Sequence, residues 1–168
     1  MNNFGVKWDF FVTTLVDKGA YSEVLIGLKN TLLIAVLGLA IGILIGTVIA
    51  IVKVLPQNNG VTNVFKRICD VYVAFFRGTP MVVQLLVGYY VLFPLIGVKM
   101  TALNACIIIF GLNSGAYVSE IMRSGLLSVD NGQMEAVRAL GLGFSYTMLK
   151  IIVPQAVKNI LPAIGNEF

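Results

Sequence analysis

The longest polar stretch of the chain, residues 128–154, holds the densest set of side chains suited to recognition. Glu135 and Arg138 stand three residues apart, which on a helix places an anion beside a cation, as a solvated pair or as a means of orienting a partner. Ala136 between them is small, and Gly141 allows a second backbone to come close. The other notable polar residues are isolated: Gln84, Asn113, Ser114 and Glu120 lie in or beside long apolar runs. At membrane depth such groups are expensive and mark a solute pathway or a hydrogen bond between helices. Gln84, Asn113 and Ser114 are the pathway candidates, while Glu120 has Arg123 three residues on and is explained by an interfacial ion pair.

Catalysis is not among the chemistries on offer. The chain contains no histidine, so Ser114 has no imidazole base and a histidine-ligated metal site is excluded. No apolar run carries paired carboxylates, and there is no G-x-x-x-x-G-K-[ST] loop to cradle a nucleotide. Cys69 and Cys106 lie in apolar surroundings at no metal-ligand spacing and read as small buried hydrophobes.

The elements that position these residues are membrane elements. Of 168 residues 58% are hydrophobic and 12% charged, against about 45–50% and about 25% in a soluble domain. The excess apolar surface must face lipid, with room for three or four spans in one domain, 1–168. The net charge of +4 is topological, because the twelve Lys and Arg sit between apolar runs and form no basic stripe interleaved with stacking aromatics. Nucleic acid is therefore not an expected partner. Residues 1–23 carry both charge signs before any long apolar run, unlike a cleavable signal peptide.

Thr31 to Val52 is a run of 22 residues without a charge, about 33 Å long as a helix at roughly 1.5 Å per residue. Gly38, Gly42, Gly46 and Ala50 recur in it every four residues, a face where another helix packs closely. Residues 65–77 gather Phe65, Ile68, Tyr72, Phe75 and Phe76 on one helical face and Lys66, Asp70 and Arg77 on the other, the pattern of a helix lying in the membrane interface. Thr79 and Pro80 predict a new start, with Thr79 as cap and a second span from Pro80 to Val98. A third span runs from Met100 to Ser119, and Asn113-Ser114-Gly115 predicts a break within it. Apolar patterning restarts from Asn159 to Phe168 as a fourth span that reads as cut short. The expected fold is thus all-α, a polytopic transmembrane bundle of about three full spans and a partial fourth, with one interfacial helix.

Eight of the Lys and Arg follow the first and third spans, and four (Lys7, Lys18, Lys29 and Lys99) lie on the opposite side. The positive-inside rule then places the N-terminal segment 1–23 outside and residues 120–158 in the cytoplasm. In that cytoplasmic loop Asp130 predicts a helix cap, with Gln133 closing a capping box and Glu135 in the first turn, where the helix dipole favours an anion. Gly141 and Gly143 end that helix, Ser145 caps a second with Phe144 and Leu149 at staple spacing, and Pro154 stops it. A pre-formed loop of this kind reads as a docking surface.

The loop resembles the ATPase-coupling loop of ABC importer permeases. Their pattern is E-A-A, three residues, Gly, nine residues, then I-x-L-P; here Glu135-Ala136-Val137 is followed at that spacing by Gly141 and by Ile151-Ile152-Val153-Pro154. Val137 and Val153 are mild apolar departures. Phe76-Arg77-Gly78-Thr79-Pro80 with Gln84, Leu112 to Tyr117 with Glu120 and Arg123, and Pro154 to Phe168 are similar to the polar amino-acid branch of that family, over residues 22–168.

The resemblance implies a multi-pass permease subunit in a bacterial cytoplasmic (inner) membrane, importing polar L-amino acids. It implies partners: two ATPase subunits, which would bind ATP and Mg so that this chain needs no cofactor, a second permease subunit, identical or related, and an extracytoplasmic amino-acid-binding protein. Glu135, Ala136, Arg138 and Gly141 would make the ATPase contact. Family members continue for further spans, so the chain reads as truncated at its C-terminus. A secondary transporter or channel subunit without an ATPase, or an inactive permease fragment, would share the spans. The transporter or channel without an ATPase does not account for the pre-formed loop, whereas the fragment reading leaves the resemblance standing.

Overall fold

The computed structural model describes residues 3–17, 19–54 and 60–167, so Lys18 and Phe168 lie outside the described residues. Helix α1 (Asn3–Val12) leads through a wide turn to α2 (Ala20–Val54), which contains the uncharged run and begins well before it. Then follow α3 (Gly60–Gly78), α4 (Met81–Leu95), α5 (Ala102–Leu127), α6 (Asn131–Ala139), α7 (Phe144–Thr147) and α8 (Val153–Glu167). Among the described residues there is no strand.

The spine of the bundle is the seam between α2 and α5. Gly38 faces Phe110, Gly42 faces Ser114 and Gly46 faces Val118, so the two helices run in the same direction. Glycines alternate across the seam, since Gly111 receives Ile41 and Gly115 receives Ile45. A Cβ on Gly42 would stand 2.7 Å from the Cβ of Ser114, and one on Gly46 2.8 Å from that of Val118. Such distances explain the four-residue repeat: the missing side chains are what brings the backbones together.

Parallel α2 and α5 require the chain between them to cross back. Only α2 and α5 are, among the described residues, long and apolar enough to span alone; α3 and α4 qualify together, bent by 105° at Thr79-Pro80. Helix α4 ends at Leu95 rather than Val98 and is about 22 Å long at roughly 1.5 Å per residue, too short to be the separate full span expected of it. Amphipathic α3 is longer than expected and turns Cys69, Tyr72, Val73 and Phe76 inward against Ile45, Ile49 and Ala116, while Phe65, Ile68 and Phe75 remain exposed.

Two further expectations fail for physical reasons. Helix α5 runs unbroken through Asn113-Ser114-Gly115, because Gly115 seats Ile45 and the Asn113 side chain has partners on neighbouring elements. Thr79 does not cap α4: the residue before that helix is Pro80, without a side-chain bond, and the Thr79 hydroxyl donates back to Phe75 O at 2.8 Å.

Helix α8 returns along the end of α5. Val129, Ile152, Ala156 and Ile160 form a second apolar core, joined by Met122, Met134 and Met148. Gly125 is occupied by the Ile160 side chain, and Asn159 Nδ2 donates to Ser128 Oγ at 2.8 Å.

Candidate functional site

The loop after α5 is built as a small, capped unit. Asp130 precedes α6, and its Oδ1 accepts from the Gly132 N–H at 2.7 Å. The cap bond is therefore made at Gly132 rather than at Gln133, where a capping box would place it. Because α6 starts at Asn131, Glu135 lies in its second turn, beyond the first-turn position expected. At the other end Gly141 has φ +75°, its N–H reaches Arg138 O at 2.9 Å, and the Leu142 N–H reaches Val137 O at 3.3 Å. This pair of bonds is a Schellman closure, which a left-handed glycine makes without strain.

One side of α6 is anchored and the other is open. Val137 is buried and Met134 packs on the Val129–Ile152 core, whereas Glu135, Ala136 and Arg138 are exposed. No described residue pairs with Glu135 or Arg138, not even each other. A Cβ on Gly141 would meet nothing within 4 Å among the described residues, so its value there is conformational. Leu140 and Leu142, both exposed, extend the open side.

Helix α7 corrects the remaining loop expectations. Its cap position is Gly143, not Ser145, and Thr147, fully buried, donates to Gly143 O at 3.0 Å. Pro154 does not stop the chain. A wide turn, Met148–Ile152, precedes it, and the helix continues as α8 with Pro154 in its first turn. There the ring and the missing N–H are tolerated.

At the same end of the bundle, Lys53 closes α2 with a side chain only 8% exposed. Its Nζ lies 2.9 Å from Asp70 Oδ1 on α3 and 2.7 Å from Glu120 Oε1 on α5, and Arg123 holds the other Glu120 oxygen at 2.9 Å. The Glu120–Arg123 pair was legible from its spacing, but Lys53 was not. The only signal was a lysine directly after a long uncharged run, and its partners are 17 and 67 residues away along the chain.

The three pathway candidates are brought close, though on different terms. A cavity of about 410 Å³ is bordered by Asn113, Ser114, Gly38 and Thr31, with Glu167 at α8. Ser114 Oγ is pressed against Gly42 and, buried, has no hydrogen-bond partner among the described residues. Gln84 does not border the cavity; its buried side chain is bonded to Asn113, whose Nδ2 donates to Gln84 Oε1 at 3.0 Å. Glu167 has no periodic signal in the sequence to single it out.

Residues 38–168 match the family described as binding-protein-dependent transport system inner membrane component. The chain is 43% identical over 141 residues to a putative glutamine transport system permease protein of Rickettsia bellii (strain RML369-C), covering 84% of this chain and 62% of that one. It is 42% identical over 144 residues to the arginine transport system permease protein of Bacillus subtilis (strain 168), covering 86% and 64%. The chain thus spans less than two thirds of the length of these relatives. Among solved structures it is similar to an amino acid ABC transporter crystallised with histidines, with TM-score 0.78, 37% identity, and coverage of 90% of this chain and 69% of that one. The inward-facing methionine ABC transporter MetNI, at 19% identity and TM-score 0.66 over 83% of this chain and 65% of that one, shares the fold.

Proposed function

The chain belongs to the binding-protein-dependent transport system inner membrane component family, and on that premise we propose that it is the membrane-spanning part of an importer for polar L-amino acids, driven by a separate ATPase. The observation that carries this reading is α6: a capped helix whose Met134 packs on the core of Val129, Ile152, Ala156 and Ile160 and whose Val137 is buried, while its Glu135, Ala136 and Arg138 side is unpaired and exposed. A connector would not need that construction; a contact that must transmit force does.

In this mechanism the exposed side of α6, ending at Gly141, seats in a cleft of a cytoplasmic ATPase subunit. ATP and Mg are bound there, not on this chain. Closure of an ATPase pair displaces α6, and the apolar core of Val129, Ile152, Ala156 and Ile160 carries the displacement into α5 and α8. The tight α2–α5 seam follows as one body. Access to the cavity beside Asn113 and Ser114 then alternates between the two membrane faces, in a cytoplasmic membrane with the N-terminus outside. Asn113, whose two N–H donors are engaged, offers its Oδ1 as an acceptor to the ammonium group of a zwitterion, and the arginine, glutamine and histidine named for the similar proteins above support the choice of polar amino acids. A second permease subunit and an extracytoplasmic binding protein complete the assembly.

The test is reconstitution of the complete polypeptide with its second permease subunit, its ATPase and the binding protein in vesicles supplied with ATP on the ATPase side. Uptake of a labelled polar amino acid that requires both ATP and the ATPase supports the reading. Uptake that continues unchanged without the ATPase would instead assign the chain to secondary transport.

A further inference from the structure

The elbow between α3 and α4 poses a hydrogen-bonding problem at membrane depth. Pro80 has no N–H, so the carbonyl four residues back, Phe76 O, loses the donor that a continuing helix would give it. Two side-chain amides converge on that oxygen instead. Gln84 Nε2 donates to Phe76 O at 2.9 Å, and Asn113 Nδ2, from the middle of α5, reaches it at 3.3 Å. Gln84 Nε2 also lies 3.0 Å from Thr79 O and 2.8 Å from Thr79 Oγ1, whose own hydroxyl donates to Phe75 O. The amides are joined by the 3.0 Å bond from Asn113 to Gln84 Oε1. The carbonyls freed by the break therefore find side-chain partners within the chain.

We infer that Gln84 is a positioning residue acting through Asn113: the amide pair replaces the bond Pro80 cannot make, fixes the 105° elbow against α5, and holds Asn113 with its Oδ1 free at the edge of the cavity. Gln84 itself does not meet the solute. All of its polar atoms are engaged and it lies off the cavity, while no hydrogen bond among the described residues occupies Asn113 Oδ1. Two further contacts hold α3 to α5 beside the elbow, the Tyr72 hydroxyl donating to Leu112 O and Arg77 over the Tyr117 ring at 5.3 Å. The same side chain that borders the cavity therefore also restrains both arms of the bent span. This assignment rests on the reading of the cavity as the solute's route.

The experiment compares Gln84→Met, Asn113→Ala and the double variant in the complete reconstituted transporter, by two readouts. The first is the distance distribution between spin labels on the exposed residues Ile68 of α3 and Val91 of α4, with Cys69 and Cys106 replaced by alanine. It should be narrow in the parent and broad in all three variants. The second is amino-acid uptake: KM should rise roughly fivefold in Asn113→Ala and roughly threefold in Gln84→Met, and no further in the double variant than in Asn113→Ala alone. Multiplying KM effects would make Gln84 an independent contact and overturn the inference, as would an unchanged distance in Gln84→Met. If Gln84→Met fails to accumulate, Thr79→Val removes one acceptor while keeping both amides, and the distance should broaden by less. If the parent transports no amino acid, the functional reading falls and the distance measurement alone decides the amide clasp.

Discussion

The α2–α5 seam and the α6–α7 loop are both marked by glycines, and the glycines do opposite things. In the seam Gly42 and Gly46 are absences: a Cβ at either would overlap Ser114 or Val118. In the loop Gly141 and Gly143 stand in open space, with nothing within 4 Å of an added Cβ, and only Gly141 has a positive φ. The seam is closed by shape and the loop by backbone conformation. A close-packed seam and a pre-formed exposed loop are thus built from the same residue type.

That contrast breaks most visibly at the seam. Gly46→Val should destabilise the protein by about 3 kcal/mol or more, because the new side chain meets Val118 and the Ser119 backbone. Thermal unfolding in detergent, followed by size-exclusion profile, checks it; a parental transition would mean that the seam is not close-packed. Next in size is Lys53→Met, which leaves Asp70 and Glu120 without their shared cation where α2, α3 and α5 meet. A loss of about 2 kcal/mol is expected, less than for a wholly buried pair because Arg123 still faces Glu120. The same unfolding assay measures it, and Glu120→Gln in the Lys53→Met background should recover part of the loss.

The loop variants are smaller. Gly141→Ala should weaken the loop by about 1 kcal/mol through its left-handed backbone, whereas Gly143→Ala, at φ −70°, should be near neutral. Hydrogen exchange across residues 131–147 separates the two, and equal effects would refute the conformational role assigned to Gly141. Asp130→Ala removes the cap bond to Gly132 and should cost about 1 kcal/mol at the start of α6 by the same measurement.

Local signals carried much of this fold. An uncharged run announced α2, a four-residue glycine repeat announced a packing face, Thr79-Pro80 announced a helix boundary, and Asp130 and Gly141 bracketed α6. What stayed hidden was the pairing of distant residues. Asn113-Ser114-Gly115 looked like a break because its partners, Gln84 and Ile45, lie elsewhere in the chain; once these are supplied the helix has no reason to open. The partners of Gln84 were equally hidden, its acceptors being made available only by the fold at Pro80. Pro154 read as a stop because a preceding wide turn leaves no simple pattern in sequence. Lys53 gave no indication of its two carboxylate partners.

The central claim is that the open side of α6 is where the ATPase binds. The direct measurement is capture of the ATPase subunit by the complete polypeptide, with and without Glu135→Lys. The substitution is exposed and should change stability by less than about 0.5 kcal/mol, so a lost complex would not reflect a lost fold. Stable capture by the parent that the charge reversal abolishes is the predicted result; no capture by a well-inserted parent would contradict the account.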